Sequence, residues 1–329
     1  MGGRPGKSWR RGKPYMPVTI RGTNIEKMRI DEERQLSRDL LSSHRRVFII
    51  SESVARRGIK DILDEISRNP QNRLRTFLIV ARNMRARDLI SKEYPLELLP
   101  GEPFREIVNH KMKIPTSLRD FFISSATPGI DPIAASFSKR DGGANYSLDS
   151  IAIFRDFKLV GFVDNEQAMA LNSFFTNEPL EVIKIRYPHV QGDILVKIDK
   201  LHVYRKLSWI EGRPSFNFQV KALARILENT TNLDLSNPKN LDRLNEIVVH
   251  KLEDLYKSLF KKLQTEYQTD SIGLGAMIYK KNPNYWEKIK GNWGNIYKAQ
   301  KMNWEVKADI IGTGTIGAPL YLSEDELKK

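Results

Sequence analysis

Between residues 216 and 226 apolar and polar side chains alternate with hardly a break. Phe216, Phe218, Val220, Ala222, Ala224 and Ile226 fall on one parity, and Asn217, Gln219, Lys221, Leu223 and Arg225 on the other. A period of two sends successive side chains to opposite faces, so this stretch predicts a long strand with one buried side, its polar face broken only by Leu223. Trp304, Val306, Ala308 and Ile310 alternate in the same way with Asn303, Glu305, Lys307 and Asp309, predicting a second half-buried strand. Between the two, Leu241, Leu244, Val248, Leu252, Leu255, Leu259 and Leu263 recur every three or four residues, the stripe of a long amphipathic helix. Such a stripe can seam a coiled coil. Laying it across an antiparallel sheet is the commoner use.

The N-terminal half carries shorter signals. Thr23 followed by Glu26 spells a capping box, with Ile25, Met28, Leu36 and Leu40 as a broken apolar stripe behind it. Arg46 to Ile50 predicts a strand. Val54, Ala55, Ile59, Ile62, Leu63 and Ile66 predict one helical face with Gly58 exposed inside it, stopped by Asn69-Pro70. Leu74 to Val80 is the next strand and Ala86 to Leu89 the start of another helix, which together make a βαβ-like unit with parallel pairing. The proline-rich tract from Tyr94 to Pro132 predicts an irregular connection. Two strands, Ser150 to Phe154 and Lys158 to Phe162, flank a turn at Arg155-Asp156, and a short helix follows, with the Asp164 carboxylate as its cap and Gln167 at its third position.

The expected fold class is therefore α+β: several mixed α/β modules, ending in an antiparallel sheet packed with the long helix. The expected division is a basic segment over 1–22, a truncated N-terminal α/β domain over 23–120, a small α+β domain over 121–190 and a C-terminal α+β domain over 191–329. The first segment holds Arg4, Lys7, Arg10, Arg11, Lys13 and Arg21 and no acid, the composition of a flexible arm.

Charge changes the picture more than composition does. Lysine and arginine total 54 against 40 acids, a net +14, which favours anionic partners: nucleic acid, acidic lipid or an acidic protein face. There is no cysteine, so disulfides, thiolate metal sites, cysteine nucleophiles and cysteine lipidation are all absent from this sequence. No apolar run reaches the ~20 residues of a membrane-spanning helix, and taken alone the sequence describes a soluble protein.

Motifs that look chemical fail on their physics. Gly312, Gly314 and Gly317 spell a dinucleotide fingerprint, but Pro319 follows at once and leaves no room for the phosphate-binding helix. Gly6-Lys7-Ser8 lacks the first glycine of a P-loop and the strand before it. His44, His110, His189, His202 and His250 are scattered, with no metal-ligand spacing. No catalytic residue, cofactor or metal is expected. A binding or structural role outranks a basic nucleic-acid-binding or general scaffold role, and a small-ligand-binding enzyme ranks last.

Several segments resemble one family. The run from Ile153 to Phe162, with its Lys158-Leu159-Val160-Gly161 core, is similar to a signature of the C-subunits of spore germination receptors. More specific is the series Gln264, Asp270, Gly273, Gly275, Pro283, Trp286, Ile289, Lys290 and Trp293, which follows the family's order of Gln, Asp-x-x-Gly-x-Gly, Pro-x-x-Trp and Trp. Glu228 matches a glutamate after the long strand, and Ala55, Gly58, Asp64, Arg68 and Arg73 are similar to the N-terminal domain. The resemblance covers about residues 20 to 315.

That resemblance implies three modules and a non-catalytic, extracytoplasmic subunit of a nutrient-sensing receptor, partnered by a membrane-embedded A-subunit and a transporter-like B-subunit. No specific nucleic acid is implied. For the full-length family form it also implies a signal segment, a lipobox cysteine with palmitate and anchoring as a lipoprotein on the outer face of the spore inner membrane. This sequence has neither leader nor cysteine, and a basic segment stands where the first strands belong. A trimmed or mis-started chain is the reading favoured for that departure.

The signature residues also have a plain physical reading. Asp270, Gly273 and Gly275 suit a turn after the long helix, and Pro283 suits a first helical position. Trp286 and Trp293 are seven apart, on one face of a single helix as the spacing predicts. They are either core or, rimmed by Lys288, Lys290, Lys298 and Lys301, a docking anchor for acidic lipid or an acidic partner.

Overall fold

The computed structural model describes residues 15–36, 42–91, 94, 96–112, 114–139, 146–177 and 182–311. The glycine fingerprint at 312–317 and the Gly6-Lys7-Ser8 motif lie outside them. Helix α1 (Ile25–Glu33) opens the regular structure, and its cap is Asn24 rather than Thr23: the Asn24 side chain accepts the Lys27 N–H. Glu26 turns instead to Arg29.

Five strands form the first sheet, in the order β1 (Val47–Ser51), β2 (Phe77–Ala81), β3 (Ile133–Lys139), β4 (Tyr146–Arg155) and β5 (Lys158–Asp164). The first two pairings are parallel, as the βαβ reading expected, and the last two antiparallel. The single helix expected over residues 54–66 is two, α2 (Glu52–Arg57) and α3 (Lys60–Arg68). Gly58 separates them at φ +114°, a backbone that side-chain-bearing residues rarely adopt, so the apolar stripe continues across a broken axis. After β2 comes α4 (Ala86–Ile90).

The tract read as irregular holds two helices, α5 (Glu102–Lys111) and α6 (Leu118–Ala126). Pro103 sits in the first turn of α5, where no backbone N–H is missed, and Ser117 with Asp120 forms a reciprocal capping box for α6. Residue 120 lies within α6, and strands from both sides of it join one sheet. Residues Asp156 and Phe157, both at positive φ, make the β4–β5 turn one residue beyond the expected place. Helix α7 (Asn165–Asn172) follows, but Asp164 does not cap it through its side chain: the carboxylate pairs with Arg82. Gln167 donates to Ser258.

The second sheet runs β6 (Val182–Ile185), β7 (Ile194–Ile210), β8 (Arg213–Asn229) and β9 (Met302–Ile310). The pairings β6–β7 and β7–β8 are antiparallel. The last strand departs from the antiparallel expectation and lies parallel to β8. The alternation of β8 is as read: its Phe216, Phe218, Val220, Ala222, Ala224 and Ile226 are buried. Helix α8 (Pro238–Lys261) covers that face with Leu244, Val248, Leu252, Leu255 and Leu259, so the leucine stripe is a helix on a sheet. Three short helices, α9 (Leu274–Lys281), α10 (Pro283–Ile289) and α11 (Trp293–Ala299), lead to β9. One apolar core takes in α7, residues 133, 151, 153 and 163 of the first sheet and the covered face of the second.

Candidate functional site

Past the end of α8 the chain tightens into a π-helical turn, Lys262–Tyr267, ended by Gln268 at φ +52°. Most of the signature residues gather there. Gln264 is buried within the turn, and its amide Nε2 donates to the carbonyls of Tyr297 (2.7 Å) and Gln300 (2.9 Å). It ties the long helix to the end of α11, where β9 is about to begin.

Asp270 is fully enclosed. Its Oδ1 accepts the N–H groups of Gly273 and Leu274 at 2.9 Å, and its Oδ2 accepts that of Gly275 at 2.7 Å. The carboxylate thus satisfies the orphan donors at the start of α9. Gly273, at φ +76°, turns the chain into this cup. Arg205 of β7 supports the cup from outside, donating from Nη1 to the Ile272 carbonyl.

The cup is fastened to the loop that leads into β3 and to β5 of the first sheet. The Asp131 N–H donates to the Asp270 carbonyl (3.0 Å), while the Asp270 N–H donates to Asp131 Oδ2 (2.7 Å). Ala276 N–H donates to the Gly129 carbonyl (2.9 Å), and the two glycine backbones touch: a Cβ on Gly275 would stand 2.7 Å from Gly129 Cα. Tyr267 adds a third fastening over Gly161, its hydroxyl accepting the Phe162 N–H and donating to the Phe162 carbonyl at 2.7 Å. Burial pushes the Asp270 carboxyl up to about 7 against the pull of its three N–H donors, and the Asp131 carboxyl up to about 6.

Trp286 and Trp293 back this joint from the C-terminal side. They belong to two helices, α10 and α11, separated by a 3₁₀ turn at Lys290–Asn292, and not to one helix face. Both indoles are buried, edge to face at 5.5 Å between centroids, and a Cβ on Gly275 would meet Trp286 at 2.8 Å. The docking-anchor alternative is therefore corrected, because buried rings present no surface to a partner. Pro283 stands in the first turn of α10 as expected. Lys288, Lys290, Lys298 and Lys301 are exposed, with Lys290 paired to Glu287 at 2.6 Å. Glu228 is exposed near the end of β8, opposite Leu195. No hydrogen bond or ion pair among the described residues links it to the joint.

The arrangement is a brace, in which every polar group of the cup holds backbone. Among the described residues no group of three or more His, Asp and Glu side chains is placed to hold a metal ion. Sequence reading found Gln264, Asp270 and the glycines but missed Asp131, Gly129 and Tyr267, for which no local pattern exists. The expectation of a palmitate-bearing membrane lipoprotein is overturned for this chain. It has no cysteine to acylate, and no helix among the described residues is long and apolar enough to cross a membrane.

Two family models match in tandem. The spore germination protein N-terminal domain matches residues 5–139, and the C-terminal spore germination B3/GerAC-like model matches residues 149–314. Spore germination protein B3 of Bacillus subtilis (strain 168) is 26% identical over 326 residues, spanning 93% of this chain and 83% of that protein. From the same organism, YfkR is 25% identical over 315 residues, spanning 94% of this chain and 80% of its own length. Spore germination protein KC is 24% identical over 339 residues, spanning 93% and 81%. The crystal structure of the GerBC protein superposes with a TM-score of 0.66 at 24% identity, covering 82% of this chain and 79% of that one, which establishes a shared fold.

Proposed function

Since this chain belongs to the spore germination B3/GerAC-like family, we propose that it is the non-catalytic C-type subunit of a nutrient-sensing germination receptor. It acts on the extracytoplasmic side of the spore inner membrane, seated against a membrane-embedded A-subunit and a transporter-like B-subunit. The observation that carries the reading is the tandem match, which spans nearly the whole chain with two models described only by spore germination. In support of this reading, Gln264, Asp270, Gly273 and Gly275 all serve an internal joint of the fold.

The exposed lysines of the C-terminal helices, Lys288, Lys290 and Lys298, form a basic rim suited to an acidic face of a partner. Co-expression of the tagged chain with the A- and B-subunits of a germination receptor, followed by affinity capture in mild detergent, is the test. Recovery of both partners is expected, with a salt-sensitive loss when the three lysines are reversed to glutamate. Capture of neither partner by the unaltered chain would overturn the proposal.

A further inference from the structure

Four strands end the two sheets, and β9 is the longest of them. The others, β1, β5 and β6, run for 5, 7 and 4 residues, and β9 for 9. Its pairing with β8 keeps one register from Met302 to Ile310, and neither a bulge nor a proline blunts it. An edge of this kind presents a row of backbone N–H and C=O groups to any strand that can lie beside it. Among the described residues no strand takes that row.

The side chains along the edge are incompletely covered. On the face under α8, Phe216, Phe218, Val220, Ala222 and Ala224 of β8 are buried, whereas Met302, Trp304, Val306 and Ile310 beside them stay half-buried. The opposite face carries Asn303, Glu305, Lys307 and Asp309, all exposed. Glu305 pairs with Lys307 of its own strand at 2.7 Å and accepts from Gln219 Nε2 at 3.0 Å.

This strand is complementary to itself. Laid antiparallel on a second copy and centred on Val306, it sets Glu305 opposite Lys307 on both sides of the centre, so that neighbouring charges alternate in sign. On the other face Trp304 meets Ala308, a large side chain against a small one, Met302 meets Ile310, and Val306 meets its own copy. Directly opposed pairs of these kinds are what stabilises a sheet. A slip of two residues one way puts Glu305 on Glu305. The same slip the other way puts Lys307 on Lys307 and Glu305 on Asp309. A slip of one residue turns the polar row against the apolar one. A single register satisfies both faces, and it is the two-fold one that closes as a dimer.

We propose that β9 is a homodimerisation edge, through which two copies of this chain pair antiparallel over Met302–Ile310 and join their second sheets into one. Both α8 helices then lie on the same face of the joined sheet. The occupant is a second copy because the order of charges along β9 is answered by its own reversal. The inference stands on β9 alone, apart from the receptor reading.

Sedimentation velocity of the full chain at neutral pH and low salt, from low micromolar to several hundred micromolar, tests it. A concentration-dependent passage from monomer to dimer is expected, weak for so small a contact. Lys307→Glu makes every central charge acidic and Glu305→Lys makes every one basic, and each should weaken the dimer about tenfold or more. Two arms restore the alternation. The double variant Glu305→Lys, Lys307→Glu should dimerise on its own, and the two single variants, once mixed, should form a mixed dimer, which also shows that each is folded. A native chain that stays monomeric throughout the range overturns the proposal and leaves the edge to some other strand. So does a dimer that neither single reversal weakens, or one that the restoring arms do not bring back.

Discussion

The two sheets of this molecule are covered differently. In the first, α2, α3 and α6 pack on one face, and α4 and α5 pack on the other over β2 and β3. Leu78, Ile79, Val80 and Ala81 are consecutive and all fully buried, as a strand wrapped on both sides requires. In the second, α8 covers one face, and the other face carries Lys221, set between His202 on β7 and Lys307 on β9. The twice-covered sheet is scaffold, with its side chains committed inward. The once-covered sheet keeps a charged face, so surface changes there alter recognition before they alter the fold.

Stability measurements can break that contrast. The largest effect is expected from cutting into the apolar interior. Phe137→Ala in the first sheet, whose ring meets Phe104 edge to face, should cost about 3–5 kcal/mol in denaturant unfolding, and Trp293→Ala behind the joint a similar amount. A folded Trp293→Ala chain of unchanged stability would return that indole to the surface. Next comes Gly275→Ala, where the added carbon strikes the Gly129 backbone and Trp286; a loss of about 1–3 kcal/mol is expected, seen as a lower midpoint at constant slope.

A gentler, graded effect concerns pH. Both Asp131 and Asp270 hold their proton more tightly when folded, with carboxyls at about 6 and about 7 against an ordinary 3.8. Between those values the folded state binds more protons than the unfolded one. Their contribution is therefore full below 3.8 and is lost as pH climbs through about 6 and about 7. Urea midpoints across this window should fall with pH in the native chain, and less so in Asp131→Asn; a rising midpoint from this pair would reverse the assignment. The smallest effect is expected on the open face, where Lys221→Glu should stay within about 0.5 kcal/mol of the native chain.

What the sequence made legible follows from the same contrast. The strands β8 and β9 and the helix α8 announce themselves because each has one wet side, so period two or 3.6 is written into the residues. The two-sided strand β2 offers only a run of apolar residues, enough to place a strand but not its ends. Helices α5 and α6 are masked by the proline-rich composition of their tract, although Pro103 occupies a first turn, and by a Ser117–Asp120 box that uses aspartate at its third position. Gly58 hid a break for the opposite reason, the apolar stripe being continuous across it. At the joint, Asp270 and its glycines form a local pattern, whereas Asp131 lies 139 residues away and meets Asp270 only through the packed fold.

The parallel strand β9 has a consequence for how the molecule is made. A strand that runs alongside its neighbour in the same direction cannot be reached by a tight turn, and here the return path is α8 through α11. During synthesis β7 and β8 can zip as a hairpin soon after they emerge, but the free edge of β8 must wait until residues 302–310 leave the ribosome. In the folded chain Gln264 holds the Gln300 carbonyl just ahead of the strand and so fixes where β9 enters. Closure of the second sheet is thus a late, checkpoint-like event: a nascent chain stalled before Met302 carries a long unpaired edge, and release of the last described strand is what seals it.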